Sequence, residues 1–193
     1  MDATTQYALA YALTTTAGLR GFLTLFAAAV AAHYHVIHPS PAFMWLGADG
    51  TVLVLGLFAL LEMVADKMPA VDHALHAISF AVRPVAAAIL VGGTVNTSSP
   101  GELAGLMAAG ALNALVVHTS SATARAASSV ATFGLANPAI SIVEDVMAIA
   151  SLVVTFAFPI LAAILAFLLV VTLIALGWRA YANSRATAHA TVE

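Results

Sequence analysis

Of 193 residues, 62% are hydrophobic and 8% are charged, whereas a soluble domain carries about 25% charged residues, so an ordinary cytoplasmic globule is excluded. Six Lys and Arg against nine Asp and Glu give a formal net charge of −3, too little positive charge for a nucleic-acid footprint. Without cysteine the chain has no disulfide framework, no thiolate nucleophile and no Cys-ligated metal.

A spanning helix needs about 20 apolar residues. Apolar runs broken by Pro, Gly and charge predict an all-α membrane protein, a bundle of about six spans at about 5–33, 51–67, 78–96, 102–130, 138–158 and 160–178. Residues 1–182 read as one transmembrane domain and 183–193 as a polar cytoplasmic tail. The first span follows Met1 and Asp2 with no basic n-region and carries Arg20 in its middle, so it does not read as a cleavable signal peptide. Its Arg20 has Thr16 and Thr24 one turn to either side, a polar stripe inside an apolar helix.

The second span holds Glu62 and Asp66 four apart, on one helical face. Two such carboxylates can share a proton or a hard cation. The span ends at Lys67-Met68-Pro69, and the turn beyond carries Asp72, His73 and His76, a candidate proton relay or metal site. On the fourth span Gly101, Gly105, Ala109 and Asn113 recur every fourth position. This small-residue stripe invites a close helix neighbour, within the chain or in a second copy of it, with Asn113 as an interhelical donor. His118, Ser121 and Arg125 follow on the same helix, and there Arg125 is expected to snorkel to headgroups. His33, His35 and His38 read as interfacial loop residues in preference to a metal site. Asn137-Pro138 opens the fifth span as a cap followed by proline. Its Glu144 and Asp145 sit about 100° apart around the helix, so one of the two is expected to face inward. Pro159 either separates the fifth and sixth spans or kinks one long helix, which would leave five spans.

Cytoplasmic loops carry the Lys and Arg excess. Six spans with both termini inside put Lys67, Arg83, Arg125, Arg179 and Arg185 at or near cytoplasmic ends, and residues 33–50, 92–101 and 156–159 outside without a single Lys or Arg. Thr14–Arg20 and Thr119–Arg125 also resemble one another, which suggests two three-helix repeats of inverted topology.

Charges at bilayer depth cost roughly 2.5–3.5 kcal/mol each on insertion scales, so they mark a functional or a tightly paired site. The expected ion or substrate ligands are Glu62, Asp66, Glu144 and Asp145, with Arg20, Arg125, Lys67 and Arg83 as counter-charges or substrate contacts. Such a site fits a small secondary transporter or ion-conducting protein for a proton or small cation, with no resident cofactor. The alternatives are an enzyme of lipid phosphates, using Ser120, Ser121, Ser128 and Arg125, and a non-catalytic membrane scaffold.

The stretches Gly18-Leu19-Arg20-Gly21-Phe22, Leu61-Glu62, Ala65-Asp66-Lys67-Met68-Pro69-Ala70-Val71-Asp72-His73, Arg83-Pro84 and Ser141-Ile142-Val143-Glu144-Asp145 resemble a bacterial integral membrane family catalogued as domain of unknown function 4126. The resemblance implies a multi-spanning protein of the bacterial inner membrane whose polar signature is Arg20, Glu62, Asp66, Lys67, Asp72, Arg83, Glu144 and Asp145. Residues 62–67 are also similar to the Glu-x-Gly-Asp-Lys/Arg-Thr motif of cation–proton exchangers, with one extra residue between the two acids.

Overall fold

The first apolar stretch, expected as a single span, is two helices. In the computed structural model, which describes the backbone of residues 1–133 and 135–190 and the side chains of these except 69–76 and 183–190, α1 runs Ala3–Leu19 and α2 runs Gly21–His33, broken at Arg20. A 3-10 helix, Pro41–Gly47, leads into α3 (Asp49–Ala65), followed by α4 (Pro69–Thr94), α5 (Pro100–Thr132), α6 (Asn137–Ala157) and α7 (Pro159–Ala190). Pro69, Pro100 and Pro138 each stand in the first turn of their helices, where the missing N–H has no intrahelical partner to lose. Pro159 separates α6 from α7 as two helices.

Among the described residues, Ala77–Thr94, Pro100–Thr132, Asn137–Ala157 and Pro159–Ala182 are each long and apolar enough to cross a membrane. The pair Pro41–Gly47 and Asp49–Ala65, bent by 64°, makes a fifth if taken as one span. The apolar outer surface is continuous with that reading: Ile160, Leu161, Ile164, Leu165, Phe167 and Leu168 on α7 are all about half exposed. Such a face is stable only against lipid or another protein.

α1 and α2 fold back on each other. At the start of α1, the Tyr7 hydroxyl donates to Glu102 at 2.8 Å and the Asn96 amide donates to the Gln6 side chain at 3.0 Å. At the end of α2, His33 Nδ1 lies 3.1 Å from the Gly47 carbonyl, and the Asn96 side chain donates to the His38 carbonyl. Both ends of the hairpin therefore lie at the end of the bundle formed by residues 34–48 and 95–102. Its tip, Arg20, lies beside Asp66, just past α3, and Ser141, in the first turns of α6. α1 rises about 25 Å and α2 about 20 Å, so the tip approaches the opposite end.

This geometry corrects two expectations. The N-terminus shares an end with the loops that a six-span chain with both termini inside would place across the membrane from it, and α7 carries the C-terminal segment to the other end. The resemblance of Thr14–Arg20 to Thr119–Arg125 also does not describe inverted elements. α1 and α5 run in the same direction, with Tyr7 beside Glu102, Thr14 beside Asn113, and Arg20 and Arg125 both on Asp66. The physical reason is the break itself, which returns the chain to the end of the bundle from which it started.

α1 is the axis of the fold. It packs against α4, α5, α6 and α7, and Leu9, Leu13, Thr14, Thr16 and Ala17 are almost wholly buried. A helix enclosed on all sides needs no amphipathic face, and its threonines are accommodated because their hydroxyls donate to carbonyls one turn back, at 2.9–3.0 Å. Asn113 bridges α5 to α1, donating to the Thr14 and Thr15 hydroxyls at 2.9 and 2.8 Å. Interhelical hydrogen bonds of this kind are worth about 0.6 kcal/mol on average in membrane bundles, and up to about 1.7. Asn113→Leu should accordingly lower unfolding free energy by roughly 1 kcal/mol in a denaturant titration in detergent, and an unchanged midpoint would refute the bridge's contribution.

The rest of the small-residue stripe is not a site of close helix approach among the described residues. A Cβ at Gly101 or Gly105 would meet no atom within 4 Å, and Ala109 is exposed. Close approach occurs elsewhere on α5. A Cβ on Gly110 would lie 2.7 Å from Val91 and 2.9 Å from Thr14, and one on Gly18 would lie 2.6 Å from the Val117 side chain and 2.7 Å from the Ala114 carbonyl oxygen.

Candidate functional site: a charged network at the tip of the hairpin

The tip is built from backbone groups that two helix ends leave unpaired. Arg20 is extended (φ −142°, ψ 96°) and gives α2 no side-chain cap. Its N–H still reaches Thr16 O and its carbonyl still accepts from Thr24 N–H. The amides of Gly21, Phe22 and Leu23 are the orphan donors of a helix start. All three point at Glu62 of α3: Gly21 donates to Oε1 at 3.0 Å, and Phe22 and Leu23 donate to Oε2 at 3.1 and 3.2 Å. The end of α1 is met by the opposite charge, with Arg83 Nη1 of α4 donating to the Gly18 carbonyl at 2.8 Å. Anion at a helix start and cation at a helix end both complement the helix dipoles. Gly21 lets α4 approach, because a Cβ there would lie 3.3 Å from Arg83 Cγ.

Arg83 Nη1 also lies 2.7 Å from His118 Nδ1 on α5. A guanidinium only donates, so His118 Nδ1 is the acceptor of this bond. The His118 ring stands edge-on to Phe80, centroids 4.5 Å apart. Both Arg83 and His118 are buried.

Two residues past Gly18, the Arg20 side chain is fully buried and surrounded by three carboxylates. Its Nη1 is paired with Asp66, its Nε lies 2.7 Å from Asp145 Oδ1, and its Nη2 lies 3.6 Å from Glu144 Oε2. Nη2 also donates to the carbonyl and hydroxyl of Ser141, at 3.1 and 3.0 Å. Arg125 joins from α5, paired with Glu144 and 3.4 Å from Asp66 Oδ2, and the Ser121 hydroxyl donates to Glu144. Lys67 closes the network, with Nζ 2.6 Å from Asp145 Oδ2 and its side chain 37% exposed. Among the described residues, Arg20, Lys67, Arg83 and Arg125 stand against Glu62, Asp66, Glu144 and Asp145, four cations to four carboxylates. Exposure falls from Lys67 inward to Arg20, which makes Lys67 the group nearest water.

Of the eleven candidate site residues, eight converge here. Asp72, His73 and His76 lie outside the described residues. Four details differ from expectation. Glu62 and Asp66 do not share one ligand: Glu62 holds backbone amides and Asp66 holds two arginines. Glu144 and Asp145 both reach Arg20, because a guanidinium presents donors on several edges. Arg125 does not snorkel: it is buried against Asp66 and Glu144. Arg20, for which Glu62 or Glu144 is the counter-ion expected from the sequence, lies closer to Asp66 and Asp145 than to Glu144, and Glu62 is taken by the start of α2. The serines considered as nucleophiles are engaged in local hydrogen bonds, Ser120 to the Val116 carbonyl, Ser121 to Glu144 and Ser128 beside Thr132.

Among the described residues no group of three or more His, Cys, Asp or Glu is arranged to hold a metal ion. His33 sits 3.3 Å from Asp49 in the loop region, away from the network. Toward the lipid, a groove of about 350 Å³ opens between α1, α6 and α7. Thr16 and Leu19 line it within a turn of Arg20, and Met147 lies two residues beyond Asp145.

The geometry describes a helix break deep in a membrane-type bundle, saturated with ion pairs. No curated protein and no solved structure matches the chain. A family model does match, across residues 7–179, and on that match the chain belongs to the family described as Domain of unknown function (DUF4126).

Proposed function

We propose that this is a small secondary transporter or ion-conducting protein that moves a proton or a small cation, with Asp66, Glu144 and Asp145 as the exchanging carboxylates and Arg20 and Arg125 as their resident counter-charges. The observation that carries this reading is the helix break at Arg20. Non-helical backbone at membrane depth is costly unless it is buried in protein or lines a cavity, and discontinuous helices that meet at charged groups are a recurring way to build a transport site. A carboxylate that releases its arginine when a proton or cation arrives converts binding into a change of pairing across α1, α3, α5 and α6. Lys67 is the natural entry, since it is the exposed partner of Asp145.

Sidedness follows from the same charges. Lys67, Arg125 and Arg179 belong to the end of the α3–α4 and α5–α6 turns and of the C-terminal segment. The opposite end carries Asp2, Asp49 and Glu102 and no Lys or Arg among residues 1–7, 34–48 and 95–102. The excess of basic residues assigns the first end to the cytoplasm, so the N-terminus faces out and the C-terminal segment faces in, in a bacterial inner membrane.

The test is flux in proteoliposomes with imposed proton, Na⁺ or K⁺ gradients. Wild type should dissipate at least one gradient faster than empty liposomes, and Asp66→Asn and Asp145→Asn should each abolish that movement while the protein remains monodisperse. Absence of flux from folded wild type, or unchanged flux in both variants, would overturn the reading. A scaffold is the second reading, favoured by the opposite charges that face one another through the network among the described residues. It predicts that the same variants melt earlier and that no variant, nor wild type, moves an ion.

A further inference from the structure

We propose that Glu62 is a proton-operated latch on the hairpin, a positioning residue that holds the start of α2 when ionised and releases it when protonated. The inference rests on the transport reading and gives Glu62 a role different from that of an ion ligand. α2 brings no cap of its own, so three consecutive amides depend on one carboxylate from another helix. An ionised carboxylate accepts at both oxygens. When a proton from water adds to one of them, that oxygen becomes an O–H donor and, having lost its charge, a weaker acceptor, which weakens the hold on Gly21 or on Phe22 and Leu23.

The latch is one residue from the ion pairs. Gly21 follows Arg20, so movement of the start of α2 moves the Arg20 backbone, and with it the guanidinium between Asp66, Asp145 and Glu144. The groups around Glu62 make its charge matter. Arg20 at the tip and Arg83 of α4 face it with positive charge, Asp66 lies one turn along α3, His118 of α5 stands behind Arg83, and Glu144 and Asp145 of α6 act on it through Arg20. Loss of the Glu62 charge leaves Arg83 and Arg20 with less negative partner, so the remaining carboxylates draw Arg20 toward α6. Protonation of Glu62 and rearrangement of the network are thereby one event.

The test reads amide hydrogen exchange at Gly21, Phe22 and Leu23 in detergent or nanodiscs, expressed as protection relative to the intrinsic rate at each pH. Wild-type protection should fall by roughly tenfold or more between about pH 9 and about pH 5, as charge-assisted hydrogen bonds are lost. Glu62→Gln should show the low value at every pH. Glu62→Asp, which keeps the charge on a shorter stem, should retain a pH dependence, and it serves if the glutamine variant does not fold. His118→Gln should leave the wild-type profile in place. Protection in wild type that does not change with pH, or a pH dependence that survives Glu62→Gln and vanishes in His118→Gln, would overturn the latch. Because the assay measures no flux, its failure leaves the transport reading standing, and failure of transport leaves the latch to be judged on its own amides.

Discussion

Arg20→Gln should destabilise the folded protein by about 3–5 kcal/mol, the range for removing one partner of a buried ion pair. Replacing the guanidinium removes the one group among the described residues that touches Asp66, Glu144, Asp145 and Ser141 together, and among those residues it leaves Asp66 paired with Arg125 at 3.4 Å. The cost is set chiefly by carboxylates stranded in a site that excludes water, more than by the lost attraction. The double variant Arg20→Gln with Asp66→Asn should therefore recover part of the loss, an interaction energy readable in a double-mutant cycle. Arg20→Lys should fall between wild type and Arg20→Gln, since an ammonium keeps the charge but cannot address Asp66, Asp145 and Ser141 at once. A denaturant midpoint for Arg20→Gln within about 0.5 kcal/mol of wild type would mean that the network contributes nothing to holding the helices.

Gly18→Val is the second large effect, expected at about 1–3 kcal/mol, the usual cost of overpacking. The new Cβ would fall 2.7 Å from a backbone oxygen of α5 at Ala114, and a helix backbone cannot step aside as a flexible side chain can. Moving α1 away also strains the bond from Arg83 to the Gly18 carbonyl, so packing loss reaches the site. Gly105→Ala is the matched comparison. It has open space around it and replaces glycine inside a helix, so it should be neutral or stabilising by up to about 1 kcal/mol. Thermal or denaturant unfolding of the two variants decides the point, and equal behaviour would contradict the placement of α1 against α5.

These two glycines mark the boundary of what the sequence discloses. A four-residue repeat of small side chains is visible on paper at Gly101, Gly105 and Ala109, whereas the glycines that matter, Gly18 and Gly110, belong to different helices and carry no shared spacing. The membrane character, most helix boundaries and the convergence of Arg20, Asp66, Glu144 and Asp145 follow from composition and from the cost of buried charge. The hairpin does not. The stretch 5–33 looks like one long span, and the signal that it is two helices is the charged residue between Gly18 and Gly21, which helical spacing alone presents as a stripe in place of a break. Helical spacing puts Glu62 and Asp66 one turn apart, and Asp66 keeps helical dihedrals and an N–H bond to the Glu62 carbonyl as the C-cap of α3; the two acids part company because Glu62 meets the amides that open α2 while Asp66 meets the side chains of Arg20 and Arg125. Arg125 was assigned to the interface by its distance along α5. Its burial comes from the start of α6 and the end of α3 closing over it, contacts that no local pattern contains.

The arrangement as a whole depends on α1 and α2 being a hairpin that enters and leaves at the same end of the bundle. Since the chain has no cysteine, Thr4→Cys, Ser98→Cys and Met68→Cys can each be labelled singly in intact cells and in inverted vesicles with a membrane-impermeant maleimide. Residues 4 and 98 should react from the same face and residue 68 from the other. Labelling of residue 4 together with residue 68, on the face opposite residue 98, would make the first apolar stretch a single crossing and contradict the hairpin.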